Sequence, residues 1–144
     1  MNEMEVEKLK FKVITSLSIV GSACVQLLGG WDGMLHTLLL FMAIDLFTGG
    51  ILLPGVFHKS PKSENGTFES RAGWKGLCRK GMTLFVVLVA VRLDSLMGTS
   101  YLRDAVCIAF ISNEALSIME NAGLMGVPFP KVLKNAIDVL GKER

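Results

Sequence analysis

Residues 41–50 read FMAIDLFTGG, a run as apolar as a lipid tail that nevertheless carries one carboxylate, Asp45. An ionised Asp at the centre of a membrane-crossing helix costs about 2.5 to 3.5 kcal/mol on the insertion scale, so its side chain has to face protein or water. At about 100° per residue, Thr48 and Gly49 fall on the same side as Asp45 and make a small, polar contact stripe. Whatever surrounds this stretch therefore has to supply both an apolar exterior and a polar interior.

The rest of the chain supports a membrane setting. Of 144 residues, 51% are hydrophobic and 19% charged, against about 25% charged in ordinary soluble domains; the mean hydropathy is +0.48. Between Lys12 and Asp32 the thiol of Cys24 is the one ionisable side chain, over about 19 residues, long enough to cross a bilayer. The longest polar stretch, 57–80, is rich in loop formers and leaves no room for a sizeable soluble domain. A formal net charge of +2 argues against nucleic acid as a partner.

The expected architecture is an all-α membrane protein, a single domain over 1–144 with about four transmembrane helices and a C-terminal amphipathic helix. The first span covers 11–30, and GGWDG at 29–33 is a turn signature with an interfacial Trp31, so the second, 34–56, follows as a tight hairpin. The third, 80–99, opens with GMTLFVVLVAV, about 16 Å of uncharged helix, and needs 95–100 to finish the crossing after Arg92 and Asp94. The fourth, 101–120, is interrupted by Asn113 and Glu114. Lysine and arginine concentrate at the amino terminus, in the 57–79 loop with Lys80, and in the 126–144 tail, which predicts that all three are cytoplasmic. Four spans satisfy this; three would force one basic end outward. In the tail, GVPFP at 126–130 stops the preceding helix, and Leu133, Ala136, Ile137 and Leu140 then share one face. That face suits the inner interface, a neighbouring subunit or a plain solvated tail.

Polar residues recur at helical spacing. Thr15, Ser18, Ser22, Gln26 and Gly29 fall within a sector of about 140° on the first span, and Arg103, Asn113, Glu114, Ser117, Glu120 and Asn121 within about 120° on the fourth. Two readings compete: close helix packing, preferred for the first span, and a water-lined face, preferred for the fourth because two carboxylates are hard to satisfy in a dry bundle. Asp45 and Arg92 each lie roughly 17 to 18 Å from the cytoplasmic ends of their spans, a depth match that predicts an ion pair.

No catalytic set is visible: there is no GxSxG, no phosphate-cradling glycine loop and no HExxH. The expectation is a protein that is not an enzyme and takes no cofactor. Cys24, Cys78 and Cys107 form no CxxC pair and read as reduced structural thiols, and His36 and His58 stand isolated, so no metal site is expected. NGT at 65–67 matches a glycosylation acceptor but falls in a loop placed in the cytoplasm. GSAC at 21–24 resembles a lipoprotein cleavage box, yet cleavage would release another embedded segment, so 11–30 is kept as a span. MNEM allows a start at Met1 or Met4, but the extra residues add Glu3 and no basic charge, so two functional starts are not expected.

DLFTG at 45–49, SRAGWKGLCRK at 70–80, VRLD at 91–94 and NEALSIMENAGLMGVPFPKVL at 113–133 occur in that order. Together they resemble the bacteriophage holin family that includes the clostridial toxin-secretion holins, over about residues 40–140, with the NEALSIMEN…GVPFP block the most specific part. By that resemblance Asp45, Gly49, Ser70, Gly73, Gly76, Lys80, Asp94, Asn113, Glu114, Ser117, Glu120, Asn121, Gly126, Pro128 and Pro130 occupy motif positions. The stretch 52–69 is longer than the family pattern and carries Pro54. The resemblance implies a multi-pass protein of the host bacterium's cytoplasmic membrane that forms a homo-oligomer and opens holes for an endolysin or a toxin, with loss of membrane potential as trigger. Asp45, Thr48, Gly49, Arg92, Asp94, Arg103, Asn113, Glu114, Ser117, Glu120 and Asn121 are the candidates for pore lining or helix contact. The rival classes are a small four-helix transporter exchanging protons through Asp45 or Glu114, and an accessory subunit that only docks a larger partner.

Overall fold

A computed structural model of the chain describes residues 2–59 and 70–132, with Asn135 and Val139. Its regular elements are all helical: α1 (Glu3–Leu27), α2 (Gly33–Phe47), a π-helical turn (Thr48–Leu52) leading directly into α3 (Leu53–Val56), α4 (Ser70–Met97) and α5 (Tyr101–Leu124). The described residues include no strand. Gly33–Val56 forms one continuous rod, and among the described residues it is the one helix long and apolar enough to cross a membrane. The lysines near the start of α1 and the charged residues of α4 and α5 keep those helices below that threshold, so length and apolarity do not establish four crossings.

Local chemistry explains the turns. Gly29 and Gly30 adopt φ of 91° and 93°, a left-handed geometry natural to glycine, and the Asp32 carboxylate then accepts the Leu35 N–H at 2.8 Å as the N-cap of α2. The turn expected from GGWDG is present, but α1 buries no residue and does not pack along α2, so the tight hairpin expected of the first two spans is not formed. Gly126, at φ 89°, ends α5 with Val127 N–H donating to Ala122 O at 3.0 Å, a Schellman-type stop. Lys131 and Val132 resume helix; the amphipathic face of Leu133, Ala136, Ile137 and Leu140 lies outside the described residues.

One boundary differs substantially from expectation. α4 begins at Ser70, so 70–79 is helix where the glycines predicted loop and a span starting at 80. Gly73 and Gly76 lie three and four residues apart on the same face as Lys80, and all three turn inward to partial or full burial. Packing there outweighs the roughly 1 kcal/mol per residue that glycine costs a helix. α5 starts at Tyr101 as expected and runs four residues beyond 120.

The core lies among α2, α4 and α5, with α5 packed on both of the others. Each of these helices buries a seam at steps of three, four or seven residues: Leu35, Leu38, Met42, Asp45 and Gly49 on the α2 rod; Lys80, Val87, Ala90 and Asp94 on α4; Arg103, Cys107, Glu114 and Asn121 on α5. This is the spacing of coiled-coil-like bundles. Leu38, Met42, Val87 and Cys107 make an apolar layer, and the charged and amide members of the seams lie on either side of it. α1 has no buried residue.

Candidate functional site

The larger polar group joins all three bundle helices. Asp45 is 3% exposed, Lys80 9%, Glu114 7% and Asn121 2%. Lys80 Nζ lies 2.9 Å from Asp45 Oδ2 and also pairs with the Glu114 carboxylate, so a single ammonium ties α2, α4 and α5 together. Removing one member of such a buried pair costs about 3 to 5 kcal/mol, because it strands the remaining charge.

Asn121 completes the group. Its Nδ2 donates to Asp45 Oδ1 and to Thr48 Oγ1, each at 3.0 Å. A Cβ added at Gly49 would stand 2.9 Å from that same nitrogen. The DLFTG stretch is thus a receptor for one amide: Asp45 and Thr48 accept its two hydrogens, and Gly49 leaves room for its approach. Thr48 and Gly49 open the π-helical turn, and as the third and fourth residues after Asp45 they share its side of the rod.

A half-open cavity of about 550 Å³ lies against the group, walled by Gly76, Arg79, Thr83, Phe110, Asn113 and Ser117 as well as Asp45, Lys80 and Glu114. Ser117 and Glu120 are half-buried and Asn113 is exposed. The polar sector expected on the fourth span therefore exists, and in this structure its most buried members face the other helices. The cation beside Asp45 is Lys80 and not Arg92, which is exposed. Starting α4 ten residues earlier changes the depth match: Lys80 and Arg92 lie about 18 Å apart along the helix, so both cannot reach Asp45.

A second polar group closes the opposite end of the bundle. Asp94 accepts the N–H groups of Leu102 at 3.2 Å and Arg103 at 2.8 Å, and the Thr99 hydroxyl at 2.5 Å, so a residue of α4 caps α5. Arg103 donates through Nε to Leu28 O at 2.9 Å and through Nη1 to Asp32 Oδ2 at 2.5 Å, tying the α1–α2 turn to α5. The Arg103 guanidinium holds the Asp32 carboxyl below the usual carboxylate range. Arg103 Nη2 is buried without a hydrogen-bond partner.

The remaining motif positions lie at helix ends, on the inward face of α4 and just beyond α5. Ser70 opens α4, Gly73 and Gly76 line its inward face, and Gly126 closes α5, with Pro128 and Pro130 exposed just beyond. Among the described residues no group of His, Cys, Asp and Glu has the arrangement of a metal site. Sequence reasoning placed Lys80 among the loop motif residues and missed it as the centre of the group. The signal was the heptad-like run Gly73, Gly76, Lys80, Thr83, Val87, Ala90, Asp94, in which polar residues and glycines hold seam positions.

Comparison with known proteins matches residues 22–142 to the bacteriophage holin family, and the chain belongs to that family. It is 38% identical over 127 residues to an uncharacterized 14.9 kDa protein in the nagH 3' region of Clostridium perfringens, covering 87% of this chain and 89% of that protein. It is 34% identical over 107 residues to a probable holin of Bacillus phage phi105, covering 74% and 73%. YqxH of Bacillus subtilis is 30% identical over 123 residues, covering 85% and 81%. No solved structure matches the chain.

Proposed function

We propose that the chain is a non-enzymatic holin that accumulates in the bacterial cytoplasmic membrane, assembles with further copies of itself and opens holes through which an endolysin or toxin leaves the cell. Family membership supports this, and so does one structural observation: a chain of 144 residues buries Asp45, Lys80, Glu114 and Asn121 behind an apolar exterior. One such chain is too small to enclose a protein-sized passage, so the passage belongs to an assembly. In this reading the helices cross the membrane four times with both termini in the cytoplasm, and Asp45, Lys80, Glu114 and Asn121 are tolerated because each has a partner inside the bundle.

The half-open cavity beside Asp45 and Glu114 favours a second reading, a small proton-coupled transporter. Inducing the chain in a bacterium with and without a cytoplasmic endolysin separates the two. A holin gives sudden, delayed entry of a membrane-impermeant dye, and turbidity collapses when endolysin is present. A transporter gives graded, substrate-dependent flux with the dye excluded, and an accessory subunit leaves membranes tight.

A further inference from the structure

The three seams pose a geometrical problem for any hole built from this chain. Outward from the bundle, Leu40 and Ile44 on α2, Phe85 and Val89 on α4 and Ile108 on α5 are exposed. Groups suited to contact with water, namely Asp45, Lys80, Glu114 and Asn121, point toward one another. Intact bundles placed side by side in a ring would therefore offer the lumen apolar faces. The half-open polar cavity beside Asp45 is walled in part by Phe110 and Ala109, and a separate polar cavity lies at the opposite end beside Asp94 and Arg103.

We propose that opening is an event within each chain: the α2–α5 seam parts, and the inward faces of α2 and α5 become the lining of the hole. The proposal rests on the holin reading above. It assigns to Lys80 and Asn121 the role of a latch. Lys80 bridges Asp45 on α2 and Glu114 on α5, and Asn121 fastens α5 to Asp45 and Thr48 across the gap that Gly49 leaves. Such a latch responds to its surroundings. In lipid, parting the seam would leave carboxylates and an ammonium facing hydrocarbon, which holds it shut. Once neighbouring chains enclose water, the same groups gain hydration on parting, so assembly itself releases the latch. Opening is then abrupt, because no single chain gains by opening before the others.

Locking the seam covalently tests this. In a chain with Cys24→Ala, Cys78→Ala and Cys107→Ala, the pair Gly49→Cys and Asn121→Cys is joined in induced cells by a short, reductant-cleavable thiol crosslinker. A second lock uses Leu35→Cys with the native Cys107, a buried pair that lies two heptads from Gly49 and Asn121 on the same seam and leaves the latch residues intact. The control pair, Leu40→Cys and Ile44→Cys, links two outward positions on α2 alone. The expected result is that both locked chains exclude the dye past the normal lysis time and admit it within minutes of reduction, while the control opens on schedule. Dye entry on schedule from the locked chains, or no recovery on reduction from either, overturns the proposal. If the uncrosslinked cysteine-free chain never admits dye although the native chain does, the second lock, which keeps Cys107, decides. If the native chain itself never admits dye, the holin reading fails.

Discussion

Along α1, Phe11, Ile14, Leu17, Ile19 and Val20 all stand exposed and no residue is buried, whereas α2, α4 and α5 bury a continuous seam that includes five charged residues, Asp45, Lys80, Asp94, Arg103 and Glu114. The first helix has apolar residues and little for them to cover within its own chain. The other three have a core of their own and stiffen it with ion pairs and a shared amide. Apolarity therefore says little about which helix is internally packed here, and in an apolar solvent the driving force between helices comes from packing and polar contacts. Among the described residues α1 stands without a packed face, and the bundle makes its own.

Four substitutions press on that contrast. The largest effect is expected for Lys80→Met, which leaves Asp45 and Glu114 buried without their shared ammonium and should cost about 3 to 5 kcal/mol. Loss of the cooperative thermal transition in detergent micelles would confirm it, and an unchanged midpoint would show that the bundle does not depend on the ion pair. Gly49→Ala comes next: the new Cβ meets Asn121 Nδ2 at 2.9 Å, an overpacking worth about 1 to 3 kcal/mol. Adding Asn121→Ala should recover part of that loss, and strictly additive losses would mean that the two residues do not meet. Leu17→Ala on α1, by contrast, should shift bundle unfolding in micelles by no more than about 0.5 kcal/mol; a core-sized loss would place α1 inside the packed unit.

The smallest effect is a pH dependence. Arg103 lowers the folded pKa of Asp32 below an unfolded value of about 3.9, so between the two values the folded chain binds fewer protons than the unfolded one. The resulting stabilisation is complete above the unfolded value and disappears as pH falls through the folded value. The gap in unfolding midpoint between the native chain and Asp32→Asn should accordingly narrow as pH is lowered below about 4. A gap constant with pH would mean that the Asp32–Arg103 contact is absent in solution.

How much of this was legible in the sequence varies by region. The apolar rod around FMAIDLFTGG, the GGWDG turn, the start of α5 and the shared face of Asp45, Thr48 and Gly49 all follow from local rules, and the structure shows each of them; that α1 would not pack back on α2 does not follow from the turn. Lys80 was hidden because a lysine next to Arg79 reads as a membrane-edge charge and because Gly73 and Gly76 read as helix breakers. That reading shifted the register of α4 and made Arg92 the apparent partner of Asp45. Asn121 was correctly placed on the polar face of the fourth helix, but its target on α2 was not readable, since a contact between residues 76 apart depends on how two helices are docked. The capping of α5 by Asp94 was missed for a similar reason: a capping residue is ordinarily sought at Ser100, beside the helix start, and here it comes from the preceding helix.

The inward orientation of the polar seam, and its reversal on opening, is tested most directly by thiol accessibility in the native membrane. In the chain lacking its own cysteines, single cysteines at Leu38, Met42 and Asn121 on the α2–α5 seam, and at Phe85 and Ile108 on the outer face, are exposed to a membrane-impermeant maleimide before and after dye entry. The seam positions should be unreactive before opening and labelled after it, with Phe85 and Ile108 unreactive throughout. Labelling of Phe85 and Ile108 after opening, with the seam still protected, would mean that intact bundles line the hole and would contradict the account.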